Sequence, residues 1–337
     1  MSIDIFNPPK VFRPNDPADL RGRDSPCRVC DKTRRDAKGA RFAVCSGCHV
    51  ALYCSKKCQR ADWPAHKAWC QYTQRQAEIL SVLPGAVEAP IAGMPNYIQL
   101  KGMLRDFVEA HRPAFSGIFQ TKLVLFGGVE KYLASETQIC LIPLRYRAPP
   151  SAAVDVASCN PALTFLPTSI AFLPLARVRQ NPLHAVILDD ALEAYGPERE
   201  RLREAHKGDP DFVDTLLVKF TPHIGPAQVA FFPLYRGLMG RPAPCTCPCA
   251  ALKAEAQSEL ESYQTFIEIG MVIREREVGS GEGPVPGYLR QDGAKWVWTP
   301  LIDDCRTDEE WVQAGHNLNA RVKIVKRRLR AVQPHPN

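Results

Sequence analysis

Residues 97–111 (YIQLKGMLRDFVEAH) carry apolar side chains at 97, 98, 100, 103, 104, 107 and 108. Spacing of that kind predicts a helix with one apolar face. Pro113 interrupts it, and residues 115–126 continue as a second apolar segment. Residues 71–83 (QYTQRQAEILSVL) predict another helix, closed by Pro84-Gly85 and by prolines at 90 and 95. Residues 250–277, rich in Ala, Glu, Gln and Leu, read as one long helix, 307–332 as a terminal helix, and 198–205 as a short one. Short apolar runs at 137–147, 163–175, 184–188, 215–220, 228–234 and 288–301 predict strands. Pro143 has no amide hydrogen to give a ladder, so the first of these is expected at an edge or a bulge.

The pattern divides the chain into an irregular leader (1–23, with Pro8, Pro9, Pro14 and Pro17), a cysteine-rich module (24–72), a helix and linker (73–95) and a mixed α+β domain (96–332) of unknown function. The chain has 337 residues, enough for more than one domain, and its 30 prolines imply many short elements. No stretch is apolar for the roughly 18 residues a bilayer span needs, and the N-terminus has no secretory pattern. The expectation is an intracellular protein, nuclear or cytoplasmic, with no membrane partner. In a reducing compartment clustered cysteines are read as metal ligands.

Seven of the 13 cysteines and one histidine fall between residues 27 and 70. They pair as Cys27-x2-Cys30, Cys45-x2-Cys48, Cys54-x3-Cys58 and His66-x3-Cys70. A Cys-x2-Cys turn supplies two zinc ligands, and an i, i+4 pair supplies two from one helical turn. Eight ligands complete two tetrahedral Zn2+ sites per chain with no open position, which indicates structural rather than catalytic zinc. His49 is a weaker candidate than His66, which completes the pair with Cys70. Gly47 is expected to take a positive φ in its turn, and Asp62 to cap a second short helix with Pro64 in its first turn. The apolar mass around the ligands is small, so metal binding should supply most of the module's folding free energy, and chelation should spare the body.

Net charge changes the picture only slightly. Residues 21–80 hold 13 Lys/Arg against 5 Asp/Glu. Seven zinc-bound thiolates would offset much of that excess, so nucleic-acid binding is an alternative and not the leading reading. Cys245, Cys247 and Cys249 sit among prolines and lack a fourth ligand, which predicts an irregular loop without structural metal. The basic run 321–330 reads as the solvated face of a helix, with a nuclear import signal as the alternative. Trp296 and Trp298 share a strand face and are expected to pack in a core.

Residues 53–70 (YCSKKCQRADWPAHKAWC), with Cys27, Cys30, Cys45 and Cys48 before them, resemble a MYND-type zinc finger. The resemblance implies an interleaved arrangement, with Cys27, Cys30, Cys54 and Cys58 on one zinc and Cys45, Cys48, His66 and Cys70 on the other. It also implies a protein-interaction role, often with proline-rich peptides of the Pro-x-Leu-x-Pro kind. The family's peptide-contacting positions fall on Ser46, Gln59 and Trp63. The body, around residues 104–115, is similar to uncharacterised fungal proteins carrying this finger. Ser158-Cys159-Asn160-Pro161 matches part of a SET methyltransferase stretch, but Val156 and Ala157 stand where Asn-His is required. The expectation is a non-enzymatic interaction protein that recruits a proline-rich partner. An enzyme in the body using the finger for recruitment, and a nucleic-acid-binding regulator, are the alternatives. The sequence does not fix the oligomeric state.

Overall fold

A computed structural model describes residues 27–30, 32, 42–48, 51–82, 94–135, 137–147, 159–180, 182–223, 227–236, 250–274, 285–292, 295–302, 305, 307–314 and 318–332. The leader, His49 and the Cys245/Cys247/Cys249 cluster lie outside the described residues. Among the described residues no helix is long and apolar enough to cross a membrane.

The module at the N-terminal end comprises β1 (Ala43–Val44), β2 (Leu52–Tyr53) and α1 (Lys56–Val82). Ser55 caps α1 by accepting the Cys58 amide at 3.2 Å. The helix expected after residue 71 and the one expected after Asp62 are therefore parts of a single helix that begins inside the metal module. Pro64 lies within it. Its missing amide frees the Arg60 carbonyl, and both residues are exposed, so water can take the lost bond's place.

The body is built on a mixed five-stranded sheet. β3 (Gln138–Tyr146) runs parallel to β6 (Phe212–Pro222), and β6 pairs antiparallel with β7 (Gln228–Tyr235). On its other side β3 meets two short antiparallel strands, β4 (Phe165–Pro167) and β5 (Ala171–Pro174). β3 is thus interior, not at an edge as Pro143 suggested. The sheet tolerates the proline because β5 pairs with 138–141 and β4 with 144–146, leaving Pro143 at the gap between them. Its carbonyl still accepts the Thr168 amide at 2.9 Å, and no donor is needed there.

Alternation along these strands splits the side chains between two apolar layers. Cys140, Ile142, Leu144, Leu216, Val218, Phe220, Ala230, Phe232 and Leu234 face α2 (Tyr97–Ala110), α3 (Arg112–Phe126) and α7 (Ala250–Glu268). α3 and α7 pack closely because residue 117 is glycine: a Cβ there would meet the Tyr263 ring at 2.5–2.7 Å. Ile139, Leu217, Val229 and Phe231 face the opposite layer, formed by α5 (Leu175–Arg179) and α6 (Pro182–His206). α4 (Val129–Ala134) follows α3.

Residues 184–188 are helical, not a strand. A five-residue apolar run fits either state, and here it is the start of α6, which also absorbs the short helix expected at 198–205. The long helix expected at 250–277 stops at Glu268. Gly270, with φ of 71°, turns the chain into β8 (Val272–Arg274). β8, β9 (Val285–Asp292) and β10 (Lys295–Pro300) form a second, antiparallel sheet. Trp296 and Trp298 pack on a small core with Ala110, Ala162, Val272 and Leu289, and the Trp298 indole donates to the Val272 carbonyl at 3.1 Å. The terminal helix is two, α8 (Glu309–Ala314) and α9 (Leu318–Val332). Val322, Val325 and Leu329 of α9 enter the main core. Arg328 pairs with Asp308 at 2.8 Å, and Arg321 lies over the Trp311 ring at 4.5 Å. The basic run is the outer face of a packed helix. Asn160, in the stretch weighed as SET-like, accepts the Ala162 amide at 2.9 Å and caps a 3-10 turn at Pro161–Leu163.

Candidate metal centre

Two clusters of ligand atoms occupy the module, each with its four atoms within 4.8 Å of one another. One holds Cys27, Cys30, Cys54 and Cys58, the other Cys45, Cys48, His66 and Cys70. First and third ligand pairs therefore meet, as do second and fourth.

The fit to zinc can be judged from the spacing. Zinc–sulfur bonds of about 2.3 Å arranged tetrahedrally put two sulfurs about 3.8 Å apart, and a sulfur and an imidazole nitrogen slightly closer. In the first cluster Cys30–Cys54 and Cys54–Cys58 are 3.5 Å apart and Cys30–Cys58 4.0 Å. In the second, Cys45–Cys70 are 3.7 Å apart, and His66 Nε2 lies 3.4 Å from Cys45 Sγ and 3.6 Å from Cys48 Sγ. These are edges of a zinc tetrahedron, far beyond a disulfide bond, and all seven cysteines are free. The donor set, soft thiolates with one imidazole, suits Zn2+. Four protein ligands per site leave no position for water.

Local structure explains the convergence. Cys45 donates its amide to the Ala51 carbonyl at 2.8 Å, closing the β1–β2 hairpin over the Cys45–Cys48 turn. Gly47 does not take a positive φ. Glycine is needed there for close approach, since a Cβ would meet Cys70 Sγ at 2.8 Å and overlap the Gln74 amide. Gln74, one helical turn beyond Cys70, donates to that sulfur at 3.3 Å and orients it. His66 is buried among Tyr53, Trp63 and Trp69, with ring centroids 5.9, 6.0 and 5.4 Å away. Burial lowers its pKa, keeping the imidazole neutral as a ligand must be.

Asp62 is the residue that sequence reasoning misplaced. It sits inside α1, buried, and accepts from the Tyr53 hydroxyl at 2.6 Å and from Arg28 Nε at 2.8 Å. It thereby ties the Cys27–Cys30 turn and β2 to the helix. Burial, and then the Asp62 bond, raise the Tyr53 pKa and keep its hydroxyl a donor. An acid four residues ahead of a histidine ligand was the available signal; its partners, 9 and 34 residues back, were not.

Without metal the thiols of the two sites are shifted in both directions. Cys54 is pushed up to about 12, first by its hydrogen bond with Cys30 and then by burial, and Cys70 to about 11 by burial and by Cys45. Cys27 is drawn down to about 7: burial opposes its ionisation, but the amides of Cys54, Val29 and Cys30 outweigh it.

The peptide candidates divide between two elements. Ser46 is exposed in the Cys45–Cys48 turn. Gln59 and Trp63 lie one turn apart on α1, Gln59 half-buried and Trp63 43% exposed. Trp63 borders the His66 ring without being absorbed into the module's core.

Residues 27–70 match the family model for the MYND finger. The SET domain-containing protein 14 of Caenorhabditis elegans is 33% identical over 72 residues, which is 21% of this chain and 16% of that relative. The chain thus spans a small part of the relative's length. No solved structure matches it. Residues 27–70 are a MYND finger whose two closed tetrads fit two Zn2+ ions, set at the head of a mixed α/β body.

Proposed function

We propose that the finger recruits an extended, proline-rich peptide of a partner protein, and that its zinc ions are structural. The observation that carries this reading is the exposure of Trp63 against the His66 ring, in a finger that also presents a strand edge. Because Cys45 bonds inward to Ala51, alternation turns the backbone groups of Val44 and Leu52 outward. The Leu52 carbonyl is taken by the Arg28 amide at 3.0 Å. The outward groups of Val44, two residues from Ser46, have no backbone partner among the described residues. An extended peptide can add there as a strand. Proline-rich segments suit an aromatic platform because little chain entropy is lost when they bind.

The test is titration of a Pro-x-Leu-x-Pro peptide library against the full chain. Trp63→Ala and Gln59→Ala should lose binding while keeping both zinc ions. Binding by neither parent nor variants, or equal binding by all, would overturn the reading.

A further inference from the structure

The two tetrads differ in their access to solvent, and the difference has chemical consequences. In the second, Cys45, Cys48, His66 and Cys70 are all buried, under Tyr53 and Trp69. In the first, only Cys27 is buried; Cys30 is exposed, and Cys54 and Cys58 are partly so. Zinc-bound thiolates are nucleophiles, and access then decides which of them meets an oxidant. Cys30 is the open sulfur. Cys54 lies 3.5 Å and Cys58 4.0 Å from it, and both are more open than the buried Cys27. Cys30 lies in the turn that opens the finger and Cys54 just ahead of α1, so neither is held within a helix.

The geometry points to Cys30 and Cys54 as a peroxide-sensitive pair that closes into a disulfide and releases one of the two zinc ions, leaving the buried tetrad loaded. The Cys30 thiolate attacks one oxygen of a hydroperoxide such as hydrogen peroxide. The O–O bond breaks, hydroxide leaves, and Cys30 becomes a sulfenic acid. The Cys54 thiolate then attacks the Cys30 sulfur; the S–S bond forms, the S–O bond breaks, and a second hydroxide leaves. Two thiolates lose two electrons and the peroxide gains them. With two of its four ligands gone, the first site no longer holds zinc. A dithiol reductant and fresh zinc reverse the change. The inference rests on the zinc sites and not on peptide binding.

The experiment uses the full chain loaded with two zinc ions and titrated with hydrogen peroxide. Released zinc is read with a chromogenic chelator, and disulfides are mapped by alkylation and non-reducing peptide mass spectrometry. The expected result is loss of one of the two ions, a Cys30–Cys54 disulfide, and Cys45, Cys48 and Cys70 alkylated only after denaturation. A Cys159→Ser/Cys305→Ser variant should release zinc as the parent does. Simultaneous loss of both ions, a disulfide on any other pair, retention of both ions up to unfolding, or dependence on Cys159 or Cys305 would overturn the proposal.

Discussion

Tyr72 of the finger's helix meets Tyr195 of α6 edge to face, with ring centroids 6.0 Å apart at 66°. Tyr72 lies two residues past the last zinc ligand and packs on the apolar layer behind β3 and β6. Because α1 is continuous from Lys56 to Val82, the metal sites and the body share one rigid element. The sequence alone suggests that chelation would unfold the finger and spare the body. The shared helix predicts otherwise: removing zinc should lower hydrogen-exchange protection in β3 and β6. Tyr72→Ala should cost about 1–3 kcal/mol and make body protection independent of zinc. Equal protection in β3 and β6 with and without chelator would refute this coupling.

Asp62→Ala leaves the Tyr53 hydroxyl buried without an acceptor and Arg28 without its carboxylate. The expected loss is about 2–4 kcal/mol of finger stability, with weaker zinc retention, because Arg28 adjoins Cys27. Competition with a graded series of chelators measures it. Asp62→Asn keeps an acceptor for Tyr53 and should fall between the parent and the alanine variant.

His111 links α2 to the 3-10 turn by donating from Nε2 to the Ala162 carbonyl at 2.8 Å. Burial pushes its pKa down to about 4. The unfolded state, near 6.5, binds the proton more readily, so stability rises with pH between about 4 and 6.5 and is lost as pH falls through that window. The full span is worth at most about 3 kcal/mol. Chemical denaturation of the parent and of His111→Gln across this range should show a steeper pH slope in the parent.

Lys219 is 6% exposed on the apolar face of β6 shared with Leu217, and its side chain has no partner among the described residues. Burial lowers its pKa. Lys219→Met replaces a largely buried lysine with an apolar side chain of similar length and should raise the melting temperature. A fall in melting temperature would indicate that the amine does useful work.

How far the chain could be read in advance followed the range of the interactions. The ligand pairs were legible because each is set by a spacing of three or four residues. Their interleaving was not, since it depends on the β1–β2 hairpin bringing residues 45–48 against α1. α2 was legible because its apolar face repeats over four turns. The start of α6 was not, since five apolar residues fit a strand as well. Pro143 misled because the gap between β4 and β5 that accommodates it is made by residues more than twenty positions later. Asp62 misled because its partners lie on other elements.

Metal analysis under native conditions tests the central claim most directly. The full chain, weighed intact by native mass spectrometry, should carry two zinc ions, and the Cys245→Ser/Cys247→Ser/Cys249→Ser variant should carry two as well. Uptake should release protons, because the metal-free thiols of Cys54 and Cys70 are protonated at neutral pH, and acidification should strip the metal. One zinc per chain, iron in its place, or loss of metal in the triple variant would contradict the account.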